Sequence, residues 1–294
     1  MSKNLRRECD FLMTQLRLSE ENLAAYLAGI GLIPQGEPIR VERAGDGNIN
    51  WVRRVQLRSG SSWVVKQARP TLERFPEYRV PTERIVFESR YYQLARPLEP
   101  GPSCCPGVIH FDERERVLVL EDLGKAERLD AALARGAEVG SAFVALAGFL
   151  AAVHRGTAGT DLAGRFPNDA MRRLHGEHIF ELPLRENDFP LSPALRARSA
   201  RLATDRGLVV LADAAYRRYL EPRGALVHGD AQAGNVLLAD GGPRLLDAEI
   251  AHQGDPAFDL GTLFAHLLLW SVALGRPEKA RRPISDAWQA YAAL

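Results

Sequence analysis

Long apolar runs, blocks of like charge, cysteine and lysine are all scarce in this sequence of 294 residues, and each scarcity excludes something. The most apolar stretch, Leu263 to Leu274, contains His266 and is far too short to cross a bilayer. Thirty-eight basic residues face 37 acidic ones, a formal net charge of +1, and no like-charged tail stands out. A nucleic-acid-binding arm or a polybasic membrane anchor needs a local cationic excess, so neither partner is expected. Three cysteines, two of them adjacent (Cys104, Cys105), provide no disulfide framework and suit a reducing compartment. The opening MSKNLRRECDFLM is too polar for a secretory leader, and the expected location is the cytoplasm. Only four of the 38 basic residues are lysine: Lys3, Lys66, Lys125 and Lys279. Each of the four therefore merits a reason.

The order of elements is uneven along the chain. The first thirty residues read as helix, with Ser19 placed to cap Glu20 to Ala28 and Gly29 and Gly31 placed to end it. Trp51, Val55 and Leu57 then alternate with Arg54, Gln56 and Arg58; a Ser59-Gly60-Ser61 turn and Trp63-Val64-Val65-Lys66 complete a hairpin with one buried face. A helix beginning at Thr82 puts Ile85, Glu88, Tyr91, Tyr92 and Ala95 along one side. Val117 to Glu121 reads as a short buried strand, and Ser141 to His154 as a helix. Residues 156–200, rich in Pro, Gly and Arg, read as irregular, and Arg201 to Tyr219 as one helix. A second β patch follows: Ala225 to Val227, then Val236 to Leu238, an Asp240-Gly241-Gly242 turn and Arg244 to Asp247. Phe258 to Leu274 reads as an apolar helix stopped by Gly275. Ala292-Ala293-Leu294 lies in mid-pattern of a helix capped by Ser285, which reads as a chain cut short. Strands with one helix, then helices with a small hairpin, indicate two lobes of an α+β protein.

The densest chemistry lies in His228-Gly229-Asp230-Ala231-Gln232-Ala233-Gly234-Asn235, followed across the hairpin by Asp247-Ala248-Glu249. A carboxylate at a strand end, an amide oxygen five positions on and a further acid across a tight hairpin converge three hard oxygen donors. Such donors hold Mg²⁺ against the phosphates of a nucleotide. In that arrangement Asp230 accepts the proton of an attacking hydroxyl, Asn235 and Asp247 hold metal, and Glu249 serves a second metal or its waters. Upstream, Gly45-Asp46-Gly47-Asn48 precedes the first hairpin, where glycines allow backbone N–H groups close to phosphate oxygens. Lys66 ends a buried strand, a costly place for an ammonium without anions beside it. Phosphates and a helix carboxylate, Glu88 first and Glu83 second, would supply them.

The string HGDAQAGN with DAE, and then Gly254-Asp255-Pro256-Ala257-Phe258-Asp259-Leu260-Gly261, resembles the aminoglycoside phosphotransferase and choline kinase superfamily. GDGNINWV, VVKQARP, LVLEDLG and the segment from Phe166 to Pro183 are similar to the methylthioribose kinase group within it. The resemblance implies a bilobal, protein-kinase-like fold: residues 1–122 an N-lobe with an antiparallel sheet and one helix that binds the nucleotide, residues 123–294 a mainly helical C-lobe carrying the catalytic hairpin. It also implies that backbone around Glu121 to Leu123 pairs with the adenine edge and that Asp259 braces the catalytic loop. Asp255 is then read as a helix cap and His228 as structural. The implied cofactors are ATP and Mg²⁺. The acceptor is a small-molecule hydroxyl, on a methylthioribose-like sugar, an aminoglycoside or an amino alcohol, with Glu177, Glu181, Glu186 and Asp188 as candidate walls. Arg281-Arg282 sits too early, in a Pro-flanked segment, to match that group's substrate-gripping arginines. A nucleotide-binding scaffold without turnover is the alternative, and a homodimer stays open.

Overall fold

The computed structural model describes residues 15–45, 50–71, 79–99, 101, 103–162, 164–222 and 224–293. The chain divides into two compact units, one of Met1–Ser89 with Pro106–Gly124 and the other of Arg90–Cys105 with Lys125–Leu294. The second therefore includes residues 90–105, which lie inside the 1–122 span.

In the first unit a short helix, α1 (Leu23–Gly29), covers an antiparallel five-stranded sheet. The strands β1 (Ile39–Arg43), β2 (Trp51–Leu57), β3 (Ser62–Gln67), β4 (Val108–Asp112) and β5 (Val117–Glu121) run in the order β1-β2-β3-β5-β4. Alternation in β2 sends Trp51 and Val55 into a core shared with Leu18, Leu23, Leu27, Val65, Val117 and Val119. Interior β5 reads Val-Leu-Val-Leu because both of its faces are buried. α1 starts later than Ser19 suggests: the Asn22 side chain accepts from the Ser19 N–H instead, at 2.8 Å. The helix α2 (Arg84–Ala95) likewise starts two residues after Thr82, and the unit boundary falls within it. Arg84, wholly buried, fixes its entry by donating to Pro81 O at 2.7 Å and to Asn50 Oδ1 at 2.6 Å.

The second unit is mostly helical. After β6 (Glu127–Arg128) come α3 (Leu129–Ala134) and α4 (Gly140–Thr157), whose Phe143, Leu146, Phe149, Leu150 and Val153 recur at helical spacing and are buried. The segment read as irregular holds α5 (Asp169–Gly176), a π-type turn over Glu177–Glu181 and α6 (Pro193–Ala203). The single helix read over Arg201 to Tyr219 is instead two, because Asp205 caps α7 (Arg206–Tyr219) by accepting from Leu208 N–H at 3.0 Å. The strand β7 (Ala225–Val227) pairs with β10 (His252–Gly254), while β8 (Val236–Ala239) and β9 (Gly242–Leu245) form the hairpin that β6 extends. α8 (Ala257–Ala273) and α9 (Arg281–Ala292) close the unit, α9 packing on α4. Ser285 lies inside α9 rather than at its cap, and Pro283 is tolerated because it falls in the first turn. The fold is the α+β, protein-kinase-like one, with an antiparallel sheet in one unit and a largely helical second unit.

Candidate active site

Strand pairing in the first unit fixes Lys66 between Val52 of β2 and Leu118 of β5. Its Nζ lies 2.8 Å from Glu88 Oε2, and both side chains are under 5% exposed. Glu83, the second choice, pairs with Arg116 at 3.2 Å. A buried ion pair contributes little net stability, since desolvation consumes most of the Coulombic gain. Its cost makes sense where a fixed cation is needed. Gly45 is exposed with φ +70°, a conformation glycine adopts without strain, while Asp46, Gly47 and Asn48 lie outside the described residues. At the end of β5, Glu121 N–H donates to Gly107 O at 2.9 Å. Arg54 grips Asp122 at 2.8 Å, which holds the segment leading to Leu123.

In the second unit β7 delivers His228-Gly229-Asp230 to a turn held from below. The wholly buried Asp259 accepts His228 N–H at 2.7 Å on Oδ2 and Gly229 N–H at 2.9 Å on Oδ1. Burial pushes the Asp259 carboxyl up, but its bond to His154 and the charges around it win, so it stays below the usual carboxylate range. Gly229 has φ +81°, and a Cβ there would lie 2.6 Å from Ile250 O, so only glycine fits. His228 is fully buried, its Nδ1 accepts Asp230 N–H at 3.3 Å, and burial lowers its pKa. Asp255 caps α8, with Oδ1 accepting Ala257 N–H at 2.9 Å, and pairs with Arg218.

Asp230 is mostly buried, and its two oxygens have different partners. Oδ2 accepts Asn235 Nδ2 at 2.7 Å and Gln232 Nε2 at 3.3 Å. Oδ1 lies 3.6 Å from His175 Nε2. Burial works to raise this carboxyl, yet His175, then His228 and Gln232, carry it below its ordinary value. Ionised, it is fit to accept a proton. Asn235 spends only its Nδ2 on Asp230, through the side-chain and main-chain oxygens, which directs its amide oxygen elsewhere. Leu246 N–H donates to Asn235 O at 2.8 Å, tying the loop to the segment that leads from β9 to Asp247. Asp247 is exposed in the left-handed region at φ +62°, and Glu249 two residues on is 6% exposed. The amide and the two carboxylates are an all-oxygen set of the kind Mg²⁺ takes, and the residues fit that ion.

Each unit thus gathers its own set of side chains: Lys66 with Glu88 in the first, Asp230 with Asn235 in the second. Three contributors lie outside the HGD and DAE motifs. His175 sits beside the Asp230 carboxylate. His154 donates from beneath Asp259 at 3.1 Å. Buried Asn168 clamps the DAE turn, donating to Glu249 O at 2.8 Å and Ala251 O at 3.1 Å. Only Asn168 had a signal available, as an amide between Pro167 and a helix start. Of the candidate walls, Glu181 is engaged with Arg185 at 2.9 Å. Among the described residues no helix is long and apolar enough to cross a membrane.

The chain is similar to known proteins. A methylthioribose kinase of Geobacillus sp. (strain WCH70) is 29% identical over 296 residues, covering 94% of this chain and 72% of that protein. The macrolide 2'-phosphotransferase of Brachybacterium faecium has a TM-score of 0.52 at 20% identity, over 93% of this chain and 82% of that one. The choline kinase LicA of Streptococcus pneumoniae gives 0.50 at 17% identity, over 93% and 90%. At such identities the two structures speak for the fold. The description of the phosphotransferase enzyme family matches residues 40–294, a span that includes Lys66, Glu88, the HGD loop and the DAE turn. On that match, this chain belongs to the phosphotransferase enzyme family.

Proposed function

We propose that the chain is a cytoplasmic, ATP- and Mg²⁺-dependent kinase that phosphorylates a hydroxyl of a small molecule, with a methylthioribose-like sugar as first acceptor to test. The observation that carries this reading is the Asp230 carboxylate, kept ionised and oriented by Asn235 and Gln232 on a turn that Asp259 pins through two backbone N–H groups. Asp230 aligns the hydroxyl and takes its proton as the oxygen attacks the γ-phosphorus; the bond to the β-bridging oxygen breaks and ADP leaves. Lys66, held by Glu88, offers a fixed positive charge to the phosphates. The Glu121 to Leu123 backbone meets the adenine edge, and the Gly45 to Asn48 loop meets the phosphates. Mg²⁺, held by Asn235 and Asp247 with Glu249, supplies charge neutralisation when bound. Methylthioribose leads the acceptors because relatives such as the Geobacillus protein bear that substrate in their name and align over nearly all of this chain.

The test is ADP release from MgATP with methylthioribose, a panel of aminoglycosides and a panel of amino alcohols, with Asp230→Asn as control. Turnover on one class, lost in Asp230→Asn and on chelation, supports the reading. A thermal shift with MgATP but no turnover on any acceptor favours the non-catalytic scaffold.

A further inference from the structure

We propose that His175 is a positioning residue for Asp230: its Nε2–H holds Oδ1 so that the remaining lone pair of that oxygen faces the acceptor hydroxyl. The inference rests on the phosphotransfer reading above and assigns a role to a residue outside the HGD and DAE motifs. It follows from counting the lone pairs of one carboxylate. Oδ2 is committed to the amides of Asn235 and Gln232, at 2.7 and 3.3 Å. Only Oδ1 is left to receive a substrate proton. An oxygen with a single neighbour can swing with the carboxylate; one bonded on one side by a fixed donor presents its second lone pair in one direction.

The imidazole is built to be that donor. Its Nδ1 is buried and has no hydrogen-bond partner among the described residues, so a proton there would be stranded. The tautomer that satisfies the site carries the proton on Nε2, the nitrogen 3.6 Å from Asp230 Oδ1. That separation is longer than a hydrogen bond, as such contacts commonly are before a substrate draws the groups together. The ring plane is set by the edge of Phe258, with centroids 6.2 Å apart and planes at 83°. The backbone is set by Gly176, packed so tightly on Tyr216 and Tyr219 that a Cβ would come within 2.5 Å of the Tyr216 ring. One turn earlier, buried Arg172 pairs with Asp169 at 2.6 Å and fixes the start of α5. His175 therefore projects from a clamped helix end rather than a loose loop.

During transfer the hydroxyl oxygen bonds to the γ-phosphorus, the β-bridging oxygen leaves with ADP, and the hydroxyl proton goes to Asp230 Oδ1. His175 gains and loses no proton in the step. Its contribution is direction, and so it falls on kcat.

The experiment compares His175→Gln, whose Nε2 reaches the place of the imidazole Nε2, with His175→Asn, whose shorter amide does not. Methylthioribose with MgATP is the assay, after melting curves show that each variant folds. His175→Asn should lower kcat about ten- to a hundredfold, with the KM for MgATP within about twofold of wild type, and His175→Gln should recover most of the loss. A purely structural histidine predicts equal damage from both variants; that result, or a wild-type kcat in His175→Asn, overturns the proposal. A second readout needs no turnover. In ¹⁵N-histidine spectra at pH 8, with the signal assigned by its loss in His175→Gln, the ring should carry its proton on Nε2 and shift in Asp230→Asn. A ring protonated on Nδ1, or one indifferent to Asp230→Asn, overturns the proposal whatever the kinetics. If wild type turns over no acceptor, the phosphotransfer reading fails, and the spectra still decide the contact.

Discussion

Acidification should destabilise this protein in a window to which one buried histidine contributes a calculable share. His252 is 2% exposed, donates from Nδ1 to Ile250 O at 2.7 Å and meets the Tyr219 ring at a centroid distance of 5.2 Å. Its Nε2 is buried with no hydrogen-bond partner among the described residues, so a second proton has nowhere favourable to go. Burial first, with the nearby Arg172 and His175 adding to it against the pull of Ile250 O and Asp259, lowers its pKa from 6.5 to about 4. The unfolded chain therefore binds a proton below pH 6.5 that the native state refuses until about pH 4. Stability is full above 6.5, falls as pH drops through the window and levels off below it. At about 1.4 kcal/mol per pH unit, the loss from this residue approaches about 3 kcal/mol. Urea unfolding followed by circular dichroism at pH 8, 6.5, 5.5 and 4.5 reads it out. His252→Asn keeps an N–H within reach of Ile250 and cannot ionise. It should start less stable at pH 8, by about 1–3 kcal/mol from lost packing on Tyr219, and then lose less than wild type on acidification. His228 and His266, whose pKa values burial also lowers, leave the variant a residual slope. Parallel pH curves for wild type and variant would refute the reasoning.

Three further outcomes are expected. Gly229→Ala must place a methyl 2.6 Å from Ile250 O at φ +81°, costing about 2–4 kcal/mol by thermal melting and disturbing the Asp230 turn, so turnover should fall with it. Lys66→Met leaves Glu88 buried without its cation and should destabilise by about 3–5 kcal/mol; adding Glu88→Gln should restore most of the stability and none of the turnover, as paired melts and kinetics will show. Asp259→Asn turns an NH₂ toward the loop amides, so amide exchange at His228 and Gly229 should quicken, with about 1–3 kcal/mol of stability lost.

What could be read from the sequence was whatever is local or periodic. Asp230, Asn235, Asp247 and Glu249 fall within twenty residues around one hairpin, so their spacing alone brings them near one another. Lys66 and Glu88 were legible because the apolar run Trp63-Val64-Val65 marks a buried strand and Ile85, Glu88, Tyr91 and Ala95 recur at helical spacing in α2. The stretch 169–203 was not, since its helices carry Arg-rich faces and few buried apolar positions to set a period. β1 and β4 escaped notice as edge strands: each is half-exposed, with Arg40 and Glu42 in one and Ile109 and His110 in the other. His175 and His154 are single residues brought to the loop by helices far away in sequence, and no local pattern distinguishes a histidine that meets an aspartate from one that meets water.

A three-residue thread under the HGD loop gives α9 a standing beyond packing. Tyr291 O–H donates to His154 Nδ1 at 3.0 Å, the opposite nitrogen donates to Asp259, and Asp259 holds the backbone of His228 and Gly229. An imidazole relieved of Tyr291 is free to reverse its tautomer and turn a lone pair toward the carboxylate it now supports. The final turn of α9 thus sets which nitrogen of His154 faces Asp259. Removing those few residues should loosen the hold of Asp259 on the His228 and Gly229 backbone, read as faster amide exchange there, while most of the hydrophobic core still holds.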